Sequence, residues 1–135
     1  RPKRLRHAKV PCGFWPSRSG GTLRGSQPCY GEYGLKAKEG RRLTDKQIDV
    51  ARTAARRVLK PHRGSKFFLR IFPHRPVTKK AAETRMGKGK GNVDHFAQWV
   101  APGHMLFEVR GVRKEIAEQA LTVAGANLGI KVQIV

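Results

Sequence analysis

No acidic residue stands before Glu32, and that absence limits what this chain can fold into more than any other feature. Ahead of Glu32 lie Arg1, Lys3, Arg4, Arg6, Lys9, Arg18 and Arg24, interspersed with Pro2, Pro11, Pro16, Gly13, Gly20, Gly21 and Gly25. A segment so charged and so short of apolar periodicity cannot bury enough surface to offset the entropy of ordering it. Residues 1–27 are therefore expected to form a basic N-terminal extension that becomes ordered on an anion. Residues 28–135 are expected to form one folded domain. Phe14 and Trp15 are unusual in such an extension; their rings either stack on bases or pack back on the domain.

The charge excess runs through the whole chain. Lys and Arg number 29 against 9 Asp and Glu, a formal net charge of +20 over 135 residues. Like charges repel in the compact state, so folding alone does not call for this excess, and a polyanionic partner does. No apolar run approaches the roughly 18 to 20 residues of a spanning helix. The cations are not gathered on one amphipathic helix either, which excludes the usual membrane-surface pattern. Nucleic acid remains. Cys12 and Cys29 are the only cysteines and form no C-x-x-C pair, so a zinc site lacks its usual spacing. Two free thiols in a reducing compartment are expected, with no metal and no cofactor.

From residue 28 onward the pattern becomes that of a domain. "PCYGEYGLKAKEG" (28–40) reads as a strand or hairpin. "LTDKQIDVARTAARRVLKP" reads as a helix, with Thr44 as N-cap, Gln47 completing a capping box and Pro61 ending it. Ile48, Ala51, Ala55 and Val58 form its apolar stripe. Arg52, Arg56 and Lys60 share another face at i, i+4 and i+8. Three like charges at that spacing disfavour an isolated helix, and phosphate contact relieves the repulsion.

"KFFLRIFP" reads as a strand covered on both faces. Residues 76–94 read as a long mobile loop. "HFAQWVAPG" and "GHMLFEVRG" read as two strands separated by Pro102 and Gly103. A second helix is expected from Arg113 to Leu128, stopped by Gly129, and then a final strand, "IKVQIV". The fold class that follows is α+β, with two helices packed on a mixed or antiparallel sheet.

The loop contains "ETRMGKGKG", Glu83 to Gly91. It lacks the Ser or Thr of a phosphate-binding P-loop, and its G-x-G-x-G spacing is not a dinucleotide fingerprint. Long loops in compact domains are usually functional. Glycines bring the backbone close to a partner and expose N–H groups to phosphate oxygens, while Arg85 supplies a planar fork and the lysines point charges. The loop is expected to be mobile when free and ordered inside an RNA cleft.

"GEYGLKA", "PVTKKAAETRMGKGKG" and "LFEVRGV", in this order, resemble the large-subunit ribosomal proteins of the bacterial L-sixteen family, kin to the archaeal and eukaryotic L-ten-e proteins. The resemblance covers nearly all of the chain from Gly31 onward. It implies a hammerhead-type α+β fold and binding to large-subunit rRNA near the central protuberance and the aminoacyl-tRNA site, beside neighbouring large-subunit proteins. It also implies that Arg85, Met86, Gly87, Lys88, Gly89, Lys90 and Gly91 reach toward tRNA and the peptidyl-transferase region. Arg85 matches a position that is hydroxylated in some bacterial members. The N-terminal cations already named, the face of Arg52, Arg56 and Lys60, and the loop lysines Lys79 and Lys80 are the expected rRNA contacts. The opening "RPKRLRHAKVPCGFWPSRSGGTLRG" departs from the bacterial pattern and looks more like mitochondrial members. A mitochondrial ribosome is therefore expected, with a removed presequence before Arg1 and with a bacterial or plastid ribosome as the alternative.

An enzyme is not expected. Asp94 and His95 beside Glu83, or Cys29 as a nucleophile, lack the accompanying elbow or metal pair that catalysis needs.

Overall fold

The structure, a computed structural model, describes residues 1–11 and 20–135. Cys12, Phe14, Trp15 and Arg18, on which expectations were placed, lie outside the described residues. The elements run β1 (Tyr33–Ala37), β2 (Arg41–Thr44), α1 (Asp45–Leu59), β3 (Lys66–Leu69), β4 (Arg75–Lys79), β5 (Asn92–Val100), β6 (Met105–Arg110), α2 (Lys114–Ala126) and β7 (Val132–Ile134).

The strands form two sheets, not one. A four-stranded sheet has the order β3-β6-β1-β7 and a three-stranded sheet the order β2-β5-β4. Every pairing is antiparallel, so the mixed alternative falls and the antiparallel one stands. Consecutive strands β5 and β6 belong to different sheets because the chain turns a corner between them at Ala101–His104. There the backbone bonds outward, from Gly103 N–H to the Ala37 carbonyl at 2.7 Å.

Helix α1 begins as its sequence dictates. The Thr44 hydroxyl accepts from the Gln47 N–H at 3.3 Å, and the Gln47 side-chain oxygen accepts from the Thr44 N–H at 3.0 Å. Together they satisfy two donors that a helix start leaves orphaned. Ile48, Ala51, Ala55 and Leu59 are buried, and Val58 packs at the edge of the core. In α2, Ala117, Ala120, Leu121 and Ala124 are buried, with Leu128 just beyond the helix. Small alanines on both helices let them pack closely together. Leu35, Phe107, Val109 and Leu106 fill the space against the four-stranded sheet, all fully buried. Each such large side chain contributes about 1.5–3 kcal/mol of transfer free energy.

The segment read as a loop over 76–94 is largely a β-hairpin. β4 and β5 pair from Arg75 opposite Ala97 to Lys79 opposite Asn92, leaving 80–91 as the connecting loop. Pro76 and the polar alternation concealed β4. Proline is tolerated here because β4 is an edge strand. The strand in "KFFLRIFP" is shorter than expected and stops at Leu69, although Arg70 still donates its N–H to the Leu106 carbonyl at 3.0 Å.

The described part of the N-terminal segment contains no helix or strand, yet it lies against the domain. Thr22 N–H donates to the Pro102 carbonyl at 2.8 Å, and the Gly25 carbonyl accepts from Met105 N–H at 2.9 Å.

Candidate nucleic-acid interface

The sequence-predicted cations fall into three places. The first is a groove of about 700 Å³ between the C-terminal half of α1 and the edge strand β3. Arg52, Arg56 and Lys60 line it, as the helical spacing required. Two more cations, Arg57 and Lys66, line it as well and were missed. Arg57 follows Arg56 directly and so lies off the i, i+4 stripe. Lys66 arrives from a different element, which no local pattern in α1 could have revealed. Arg52 is partly spent, since it pairs with Asp49 at 3.1 Å. Arg56, Arg57, Lys60 and Lys66 make no ion pair or hydrogen bond through their side chains among the described residues.

The second place is the hairpin. Residues 81–90 are all exposed, Met86 at 92%. Gly87, Lys88 and Gly89 follow one another at φ of 97°, 56° and 86°, and Glu83 also stands at 64°. Left-handed backbone at non-glycine residues is held at a cost of order 1 kcal/mol each. The Lys80 ammonium donates to the Gly87 carbonyl at 2.6 Å and so folds the loop's two limbs together. Arg85 and Lys88 make no hydrogen bond or ion pair among the described residues, and they present their charges outward. Gly91 sits where the limbs converge; a Cβ there would stand 2.5 Å from the Lys79 carbonyl oxygen.

The third place joins the N-terminal segment to the base of that hairpin. Lys9 donates its ammonium to the Lys90 carbonyl at 3.2 Å, Lys90 returns one to the Val10 carbonyl, and Arg75 donates to the Pro11 carbonyl at 3.1 Å. The Arg75 guanidinium also lies over the Trp99 ring, 4.0 Å from its centroid. Arg1 reaches the start of α1, where its Nε donates to Asp45 at 2.7 Å. Burial pushes the Asp45 carboxyl up. The Arg1 bond, the Lys46 N–H and the charges of Arg1 and His95 outweigh burial and hold it below its ordinary value. Lys3, Arg4 and Arg6 are exposed, as is Arg24; Lys79 is an exposed cation on β4.

Sequence reasoning also missed a buried carboxylate. Glu108 on β6 is fully buried. One of its oxygens accepts the N–H groups of Cys29, Tyr30 and Gly31 at 3.1, 2.6 and 2.8 Å. The other pairs with the Arg70 guanidinium, which lies 5.2 Å from the Tyr30 ring centroid. Burial raises its pKa, but these donors outweigh burial and hold the carboxyl below its usual range. This cluster is structural, since it ties the approach to β1 onto β6. Its signal in the sequence was a Glu within the apolar run Met105–Val109.

No group of three or more His, Cys, Asp or Glu side chains converges as a metal-ligand set among the described residues. His95 pairs with Asp94 at 2.8 Å on β5. Cys29 is a free, exposed thiol. No helix among the described residues is long and apolar enough to cross a membrane.

Cations without partners among the described residues, on a groove and on an extended hairpin over two antiparallel sheets and two helices, define a basic α+β protein. The chain belongs to the ribosomal protein L16p/L10e family, whose sequence profile matches residues 2–135. It is 53% identical over 116 residues to the large ribosomal subunit protein uL16 of Sulfurihydrogenibium sp. (strain YO3AOP1), covering 86% of this chain and 83% of that one. It is 44% identical over 134 residues to the protein of the same name from Halorhodospira halophila (strain DSM 244 / SL1), covering 99% of this chain and 94% of that one. The resemblance read from the three motifs therefore stands. As a member of a ribosomal-protein family, the chain is a structural component and not an enzyme.

Proposed function

We propose that this chain is a structural constituent of the large ribosomal subunit. In this reading it binds large-subunit rRNA through its groove and N-terminal cations and turns its hairpin tip toward the aminoacyl-site tRNA. The observation that carries the tip's part is the pair Arg85 and Lys88. They are exposed and unpartnered among the described residues, and Lys88 itself stands in a left-handed conformation between Gly87 and Gly89. An arrangement that spends strain to present free cations is suited to a partner that supplies anions.

The rRNA contacts are expected to be mostly to phosphate and 2′-hydroxyl groups, reading RNA shape. About ten such contacts make affinity fall by several orders of magnitude between low and moderate salt. Neighbouring large-subunit proteins are further partners in this reading. Both named relatives are bacterial, which supports a bacterial ribosome at least as well as the mitochondrial one expected from the N-terminal departure.

The test replaces Arg85 and Lys88 with alanine in the full chain. Incorporation is read by gradient sedimentation and tRNA accommodation by rapid kinetics. Slower accommodation with unchanged incorporation supports the reading. Loss of incorporation makes the loop an rRNA anchor and overturns its assignment to tRNA.

A further inference from the structure

We propose that the groove between α1 and β3 holds a single unpaired RNA nucleotide, its base against an apolar floor and its flanking phosphates on the cationic rim. This rests on the RNA-binding reading above and adds to it the form of RNA that this face selects.

The floor is Leu59 and Phe67. Leu59 is buried, and Phe67 is half-buried with its ring centroid 5.3 Å from that of Phe107. The rim is Arg56, Arg57, Lys60 and Lys66, all exposed. A duplex meets a protein with its ridge of phosphates, which needs cations on a convex or flat face and no apolar hollow. A concave hollow with an aromatic floor and a cationic rim matches the two parts of an unstacked nucleotide, a π-faced base and its charged backbone. The neutral polar side chains of the lining are already engaged, the Thr53 hydroxyl donating to the Asp49 carbonyl at 2.8 Å. The Ser65 hydroxyl donates to the Leu59 carbonyl at 3.2 Å. The groove therefore selects an unpaired nucleotide chiefly by stacking and charge, which every base can satisfy.

A second observation points to an anion at the same end. Lys66 on β3 stands directly opposite Arg110 on β6. Both are exposed and neither has an ion pair among the described residues. Like charges directly opposite in an antiparallel pair repel at a Cα separation of about 5.5 Å. Because β3 is an edge strand, no strand beyond it offers Lys66 a counter-charge. A phosphate lying across the pair converts the repulsion into a two-cation clamp.

The experiment titrates the full chain onto two RNA hairpins that differ by one bulged 2-aminopurine. The reference hairpin carries the same base analogue paired within the stem. Binding is measured at fixed moderate salt and across a salt series. The expected result is about tenfold tighter binding of the bulged hairpin, with a change in the analogue's fluorescence on binding. Phe67→Leu, which keeps an apolar side chain against Phe107, is expected to remove the preference while leaving paired-RNA affinity and its salt slope unchanged. Arg56→Gln with Arg57→Gln, both at exposed positions, is expected to weaken bulged-RNA binding without loss of the folded circular-dichroism signature. Equal affinity for the two hairpins with a normal salt slope overturns the nucleotide pocket and leaves the RNA-binding reading standing. Failure to bind either RNA overturns both. Tight capture of an oligoglutamate peptide that the double arginine variant abolishes, with no bulge preference, overturns the proposal in favour of an acidic protein segment.

Discussion

Glu108→Gln is expected to cost this fold about 3 kcal/mol at neutral pH. The wild-type carboxylate accepts three backbone N–H groups on one oxygen and the Arg70 guanidinium on the other. An amide has one acceptor oxygen and one donor nitrogen. Whichever way it is placed, the nitrogen faces donors: Arg70 in one orientation, the N–H groups of Cys29, Tyr30 and Gly31 in the other. Removing one partner of a buried ion pair costs about 3–5 kcal/mol, because the remaining charge keeps its desolvation penalty. The Arg70 side chain is 18% exposed, so water recovers part of that penalty and the lower end of the range applies. With an unfolding entropy of about 2.1 cal/mol/K per residue, a chain of 135 residues loses about 10 °C of Tm. Thermal and denaturant unfolding followed by circular dichroism measure it. Adding Arg70→Met to Glu108→Gln removes the stranded cation and is expected to recover at least about 1 kcal/mol, as coupled neighbours do. A single-variant cost below about 1 kcal/mol, or strictly additive costs in the double variant, refutes the account of Glu108 as an ion-paired acceptor of the turn.

Two further outcomes follow from the geometry. On acidification His104 acts first. Burial and then the charge of Arg70 lower its folded pKa, so the unfolded chain binds the proton more readily, and stability falls as pH drops below the ordinary value of about 6.5. Glu108 and Asp45, also lowered, withdraw their stabilisation only at the acid end, as pH falls below the ordinary carboxylate value of about 4 and through their folded values. A chemical-denaturation series from pH 7.5 to pH 3 is expected to show these two stages; stability that stays flat to pH 5 refutes the His104 part. At the hairpin, Gly91→Ala sets a Cβ against the backbone oxygen of Lys79, so the base of the loop must open. Limited proteolysis is expected to cut the variant faster between Lys79 and Lys90, with the core melting temperature little changed.

The parts of the fold written in local patterns were legible. The capping box at Thr44 and Gln47, the alanine stripes of both helices and the alternation around Phe107 are properties of short windows. The two-sheet arrangement was not legible, because β5 and β6 are neighbours in sequence and strangers in pairing, a choice made by partners far along the chain. The β4 strand was hidden by Pro76 and by side chains suited to an exposed edge. In the candidate interface, the kinds of residue were evident and their employment was not. Nothing in the sequence distinguishes Lys80 and Lys90, whose ammonium groups are held by backbone carbonyls, from Arg85 and Lys88, which are free among the described residues. Lys66 joined the groove only when β3 was laid beside α1.

The contacts that hold the N-terminal segment to the hairpin have a consequence for the free protein. Lys9, Lys90 and Arg75 each donate to a neutral carbonyl, so these contacts fix geometry and cancel no charge. The repulsion among these cations is therefore left unrelieved by the contacts themselves. Ions in solution then act in opposite senses on two equilibria. They shield the cations from one another and steady the unbound fold. In the proposed complex with RNA they also compete for the phosphates and loosen binding. On the proposed reading, an ionic strength that lengthens the life of the isolated chain shortens its residence on RNA, and the proposed bound state is the one in which this sequence is electrically at rest.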